Sequence, residues 1–106
     1  MSYNLFLDDE RFPPDDPRDW VIQRSFATAV HFVCKNGFPS FVSFDHDLGD
    51  SAPQTGYDFA KWLVERDIDY GDLPDDFSFV VHSANPVGAK NIQMYLDNYL
   101  RVRKNG

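Results

Sequence analysis

In this 106-residue sequence, each of three short apolar stretches is followed at once by side chains able to do chemistry: NLFL by Asp8, Asp9, Glu10 and Arg11, FVSF by Asp45, His46 and Asp47, and FSFVV by His82, Ser83 and Asn85. Carboxylates bind hard cations and move protons, imidazole titrates near neutrality, and guanidinium pairs with phosphate oxygens. In the central stretch, SFVSFDHDLGD from Ser40 to Asp50, an extended backbone points Asp45 and Asp47 to one side and His46 to the other. A polar turn, with Asp47 as a cap, would use the same residues, and Asp8 and Asp9 would serve equally in a solvated turn.

The elements that must position these groups can be read from pattern. Near-continuous apolar runs suit strands buried on both faces, predicted near residues 4–8, 41–45 and 78–82, with an outer strand near 20–24. Between the first two lies FPPDDPRD, residues 12–19, whose prolines exclude a helix. Ser25 caps a predicted helix over 26–36, with Phe26, Ala29, Val30 and Val33 on one face, His31 off it and Gly37 as its stop. A second helix spans 57–67, with Phe59, Trp62 and Leu63 inward. A third spans 87–101, with Pro86 in its first turn, Ile92, Tyr95, Leu96 and Tyr99 on one stripe, and Arg101, Arg103 and Lys104 complementing its dipole. The loop from Gly49 to Gly56 is placed to act as a lid, and 69–76 is another loop.

This pattern predicts one domain over residues 1–106, an α/β fold with a parallel sheet in order 2-1-3-4 and helices on both faces. Right-handed crossovers then gather Asp8, Asp9, Asp45, Asp47, His82 and Ser83 at the carboxyl edge, where such sheets bind ligands. Carboxylates so close demand a cation or a raised pKa. An oxygen-rich site suits Mg²⁺, and the histidines add Mn²⁺ and Zn²⁺ as candidates.

Composition excludes other classes. The formal charge of −7, from ten Lys and Arg against seventeen Asp and Glu, argues against binding to duplex nucleic acid and leaves a small phosphorylated substrate open. A single cysteine, Cys34, excludes an internal disulfide and a multi-cysteine zinc site. No signal-like start or long apolar run is present, so the expectation is a soluble cytoplasmic protein without membrane contact.

LFLDDER, SFDHDLG, GYDFAKWL and VHSANPVGAKNI, in this order, resemble the cyclic-phosphate processing receiver-like family, small bacterial and phage domains related to the receivers of two-component signalling. The resemblance runs from Asn4 to about Tyr99 and implies a small receiver-like, flavodoxin-like sheet. Receivers carry an acidic pair after the first strand, a phosphoacceptor aspartate after the third and a Ser or Thr after the fourth. Asp8 with Asp9, Asp45 and Ser83 match those positions. Two features depart from the pattern: a proline-rich loop replaces the first receiver helix, and no fifth strand carries the receiver's Lys-Pro, which makes Lys90 a substitute cation. His46 and His82 have no counterpart in ordinary receivers, and the resemblance implies hydrolysis of a cyclic phosphate in place of phosphoryl acceptance.

That activity, on ribose 2',3'-cyclic phosphate or a related ester, assigns Asp45, His46, Asp47 and His82 to catalysis. His46 and His82 would act as base and acid, about 5 to 8 Å apart across the substrate on neighbouring strand ends. Asp8, Asp9 and Asp45 would hold the metal, Mg²⁺ first, with Arg11 and Lys90 clamping phosphate. Ser83 and Asn85 would donate hydrogen bonds beside a helix amino terminus, although Asn85 also suits a helix cap. Two other classes remain: a phosphoacceptor with Asp45 as nucleophile, and a non-catalytic acidic module for a basic partner.

Overall fold

The structure is a computed structural model that describes residues 3–15, 18–49 and 52–105. The strands are β1 (Asn4–Leu7), β2 (Trp20–Gln23), β3 (Phe41–Phe44) and β4 (Ser78–Val81), and the helices α1 (Phe26–Asn36), α2 (Gly56–Tyr70) and α3 (Pro86–Asn105). All strand pairs are parallel and the order is β2-β1-β3-β4, as the sequence pattern predicts. Register aligns Leu7, Gln23, Phe44 and Val81 on one face and Phe6, Ile22, Ser43 and Val80 on the other. Of the expected lid, residues 50 and 51 lie outside the described residues, and Thr55 and Gly56 belong to the start of α2.

Helical cover on both faces is corrected by the packing. Ala29 and Val33 of α1, Phe59, Ala60 and Leu63 of α2, and Ile92 and Leu96 of α3 all join Leu5, Leu7, Val42 and Phe44 in one core cluster. The physical reason is handedness. The crossovers from β2 to β3 and from β3 to β4 travel the same way across the sheet, so right-handed connections place α1 and α2 on the same face. The segment that would supply a helix to the other face is the proline-rich loop after β1. Phe6, only 3 % exposed, stands outside the core cluster and is covered by smaller means. Trp20 meets it edge-on at 5.7 Å, the His82 ring stacks on it at 4.6 Å, and the Arg18 guanidinium lies 4.3 Å from the Phe41 ring. Val80, on the same face, is 46 % exposed.

The helix ends obey the sequence signals. Ser25 Oγ accepts from Thr28 N at 3.2 Å, and Thr55 with Asp58 forms a capping box at the start of α2. The second helix runs three residues past its predicted end because Gly71, at φ 67°, supplies the left-handed cap there. Asp67, in the last turn of this helix, is buried. Its carboxylate takes the Arg103 Nε at 2.6 Å, the Leu73 N–H at 2.9 Å and the Tyr99 hydroxyl. Arg103, expected to serve the helix dipole, instead ties α3 to α2 and donates to Leu73 O at 2.9 Å. Among the described residues, no helix is long and apolar enough to cross a membrane.

Burial pushes the Asp67 carboxyl up, but Arg103, Tyr99 and the Leu73 N–H outweigh it and hold it below the ordinary range. Its stabilising contribution is therefore present above the unfolded value of about 3.9 and is lost as pH falls through the lower folded value. Arg103→Met, which leaves this buried carboxylate without its cation, is expected to cost about 1 to 3 kcal/mol in urea denaturation at pH 7. Asp67→Asn should flatten the acid limb of the stability profile.

Candidate functional site

The hydrogen-bond ladder continues one residue beyond the strands. Asp8 N donates to Gln23 O at 3.2 Å, Asp45 N to Leu7 O at 2.9 Å and His82 N to Phe44 O at 2.9 Å. Asp8, Asp45 and His82 each come two positions after a residue of the helix-free face, so strand alternation turns all three the same way. Parallel pairing sets them side by side on β1, β3 and β4.

Asp8 is fully buried, and its oxygens are satisfied from two directions. One accepts the Glu10 and Arg11 N–H groups, each at 2.9 Å, which folds the chain sharply after β1. The other lies 2.9 Å from His82 Nε2, which reaches across the end of β3. His82 Nδ1 rests 2.7 Å from Ser43 Oγ, and the ring is stacked on Phe6. A hydroxyl both donates and accepts, so Ser43 supports either tautomer of the imidazole. One donor atom from each of Asp8, Asp45 and His82 lies within 4.8 Å of the other two.

The two carboxyls are driven apart electrostatically. Burial raises Asp8, but the Arg11 and Glu10 N–H groups and His82 prevail and leave it below the ordinary range. Burial and then the charge of Asp8 raise Asp45, with the Ser83 hydroxyl, His82 and the Arg11 guanidinium only partly compensating. Gly56 admits this arrangement, since a Cβ there would stand 1.8 Å from the Asp45 carbonyl oxygen.

An open cleft of about 420 Å³ adjoins these groups, lined by Asp9, Glu10, Arg11, Asp45, Asp47, Gly49 and Ala84. Arg11 is the cation of that lining. Its Nη1 donates to His82 O at 3.2 Å and its Nε lies 3.7 Å from Asp8 Oδ2. Asp47 is exposed, and its carboxyl is held below the ordinary range by the hydrogen bond from His46 and then, against burial, by Asn85.

The fold brings some of the predicted site residues together and separates others. Asp8 and Asp45 stand together with His82, while Asp9 lines the cleft outside that cluster. Neither histidine is among the cleft-lining residues. His46 bonds to Asp47 at 2.9 Å and presses its ring on Gly88, where a Cβ would lie 2.3 Å from it, and His82 is occupied with Asp8 and Ser43. Ser83 stands close enough to Asp45 to lower its carboxyl pKa, and accepts from Asn85 N at 3.1 Å. Asn85 caps α3, its Oδ1 taking the Gly88 N–H at 3.0 Å, and its amide also reaches Asp47 at 3.4 Å. Lys90 is exposed on α3 and does not line the cleft. Ser43, Phe6 and Arg24 were not singled out by the sequence, yet Ser43 and Phe6 set the His82 ring and Arg24 holds the carbonyls of Asp8 and Arg11. The signal for Ser43 was present: a lone polar residue inside the apolar run FVSF.

Residues 3–98 match the family described as "Cyclic-phosphate processing Receiver domain". No curated protein matches the sequence. A solved structure titled as the yeast Spc42 trimeric coiled coil, amino acids 181–211, in a fusion, is similar at 15 % identity with a TM-score of 0.58, over 98 % of this chain and 82 % of that one. At that identity the likeness speaks to the fold alone.

A raised carboxyl pKa means that the fold disfavours the ionised form. The stability attached to Asp45 is complete below the unfolded value of about 3.9 and is lost as pH rises through the higher folded one. Asp45→Asn is therefore expected to raise the thermal midpoint at pH 7 and leave it little changed near pH 3, as differential scanning calorimetry would show. Equal midpoints at both pH values would mean that Asp45 carries no such strain.

Proposed function

Given that the chain belongs to the cyclic-phosphate processing receiver domain family, we propose that it hydrolyses a cyclic phosphodiester of the ribose 2',3' type in the cleft beside Asp45. The observation that carries this reading is the convergence of Asp8, Asp45 and His82 within 4.8 Å, next to a cleft whose lining contains the Arg11 guanidinium.

The donor set fits a divalent cation, because the Asp8 charge already raises Asp45 and a cation between them would relieve that repulsion. With an imidazole in the set, Mn²⁺ and Zn²⁺ join Mg²⁺ as suitable ions. When bound, such an ion supplies positive charge against the phosphoryl oxygens. The protein's own residues do the rest. Arg11 holds the phosphate, and its place on the loop pinned by Asp8 fixes its approach. A water oxygen bonds to phosphorus while the ring P–O bond breaks, leaving a phosphomonoester beside a free hydroxyl. Asp45, at the edge of the cleft, accepts the water's proton and returns it to the departing oxygen. Ser83 orients the Asp45 carboxyl, and His82 with Ser43 orients Asp8. Asp47, oriented by His46 and Asn85, repels a misplaced phosphate from that wall of the cleft.

Turnover of nucleoside 2',3'-cyclic phosphates with Mg²⁺, Mn²⁺ or Zn²⁺ tests this reading. Asp45→Asn is expected to lose on the order of 10² to 10⁴ in kcat, the usual worth of one acid–base group. Arg11→Ala should act chiefly on KM. By calorimetry, Asp45→Asn and His82→Ala should each weaken Mn²⁺ binding by about tenfold or more, with Asp9→Asn much less affected. Absence of hydrolysis with every ion, combined with labelling of Asp45 by a small phosphoryl donor, would establish a phosphoacceptor instead.

A further inference from the structure

Phe12 contributes nothing to the core: it is 77 % exposed and lies outside the core cluster. Its setting is nonetheless built. The residue before it, Arg11, lines the cleft, and the backbone there is pinned by the Glu10 and Arg11 N–H bonds to Asp8, each at 2.9 Å. The Arg24 guanidinium lies 5.0 Å from the Phe12 ring centroid and bonds the Asp8 carbonyl at 3.1 Å and the Arg11 carbonyl as well. Pro13 and Pro14 stiffen the chain immediately after it. A flat apolar ring is thus backed on one side by a cation that is itself anchored to the site, and is open to solvent on the other. Aromatic rings held this way stack with bases irrespective of their hydrogen-bonding edges, and Arg adds to the platform.

We propose that Phe12 is the stacking platform for the nucleobase of the substrate, which makes the ligand a nucleoside cyclic phosphate and not a bare sugar cyclic phosphate. This rests on the cyclic-phosphate reading of the adjoining cleft. Arg11, in the cleft lining, takes the phosphate, and its chain neighbour Phe12, outside that lining and open to solvent, takes the base, so that one short loop addresses both ends of a nucleotide. Discrimination among the four bases is expected to be weak, since stacking reads only a π-face.

The test compares adenosine 2',3'-cyclic phosphate with 1-O-methylribofuranoside 2,3-cyclic phosphate, which lacks the base, in the presence of Mn²⁺. The wild type should favour the nucleoside by on the order of tenfold in KM, the worth of one stacked base. Phe12→Ala should abolish that preference and Phe12→Trp should keep it. A 2-aminopurine riboside 2',3'-cyclic phosphate gives a second readout, its fluorescence quenched by the wild type and by Phe12→Trp but not by Phe12→Ala. A wild-type preference that survives Phe12→Ala, or no preference at all, overturns the proposal while leaving hydrolysis intact. Quenching that depends on Phe12 without turnover supports the platform and sinks the hydrolytic reading. Absence of both quenching and turnover removes the two together.

Discussion

The site depends on the burial of one ionised carboxylate. Asp8 has no contact with solvent, and a charge so placed is tolerable only where hydrogen bonds replace its lost hydration. Those bonds organise its surroundings. The N–H groups of Glu10 and Arg11 turn toward it, which folds the start of the β1–β2 loop over the sheet end and delivers the Arg11 side chain to the cleft. His82 leans across β3 to reach it and in doing so covers Ser43 and Phe6 on the helix-free face. Asp45, one strand away, has its pKa raised by its own burial and then by the Asp8 charge.

One carboxyl held below the ordinary range beside one held above it gives the two groups distinct acidities, the pattern by which acid–base sites separate roles. The distinction here comes from burial and neighbours and not from the residue type. Backbone N–H groups and an imidazole surround Asp8, while Asp45 has the Ser83 hydroxyl and a negative charge across the strand gap. The surrounding polar contacts form a second tier, in which Asn85 caps α3, touches Asp47 and donates its own N–H to Ser83. The start of α3 is thereby joined to both the cleft wall and the Asp45 carboxyl.

The one-sided helical cover bears on the same chemistry. With α1, α2 and α3 on one face, the second face is closed by rings, by the Arg18 guanidinium and by His82 itself, so part of the site's floor is also the cover of the sheet. Substitution at Phe6 or Trp20 would therefore disturb the His82 ring as well as packing. Far from the site, Asp67 and Arg103 fasten α3 to α2 and hold the helical layer together.

The range of each interaction decides how much of this was legible in the sequence. Strand positions, their order, the helix starts and the chemistry at the strand ends are written in local patterns: apolar runs, capping residues and the prolines after β1. The motifs around Asp8, Asp45 and His82 likewise mark groups that the fold brings together. What the sequence could not decide was which atoms meet. Whether Asp9 or His82 completes the cluster, whether His46 faces the cleft or Gly88, and whether Arg103 serves a dipole or Asp67 depend on contacts between residues far apart in the chain. The side that receives the helices depends on crossover handedness acting on the whole strand order. Local propensity fixes the elements and the direction each side chain leaves its strand, but only the packed sheet determines what stands at the far end of that direction.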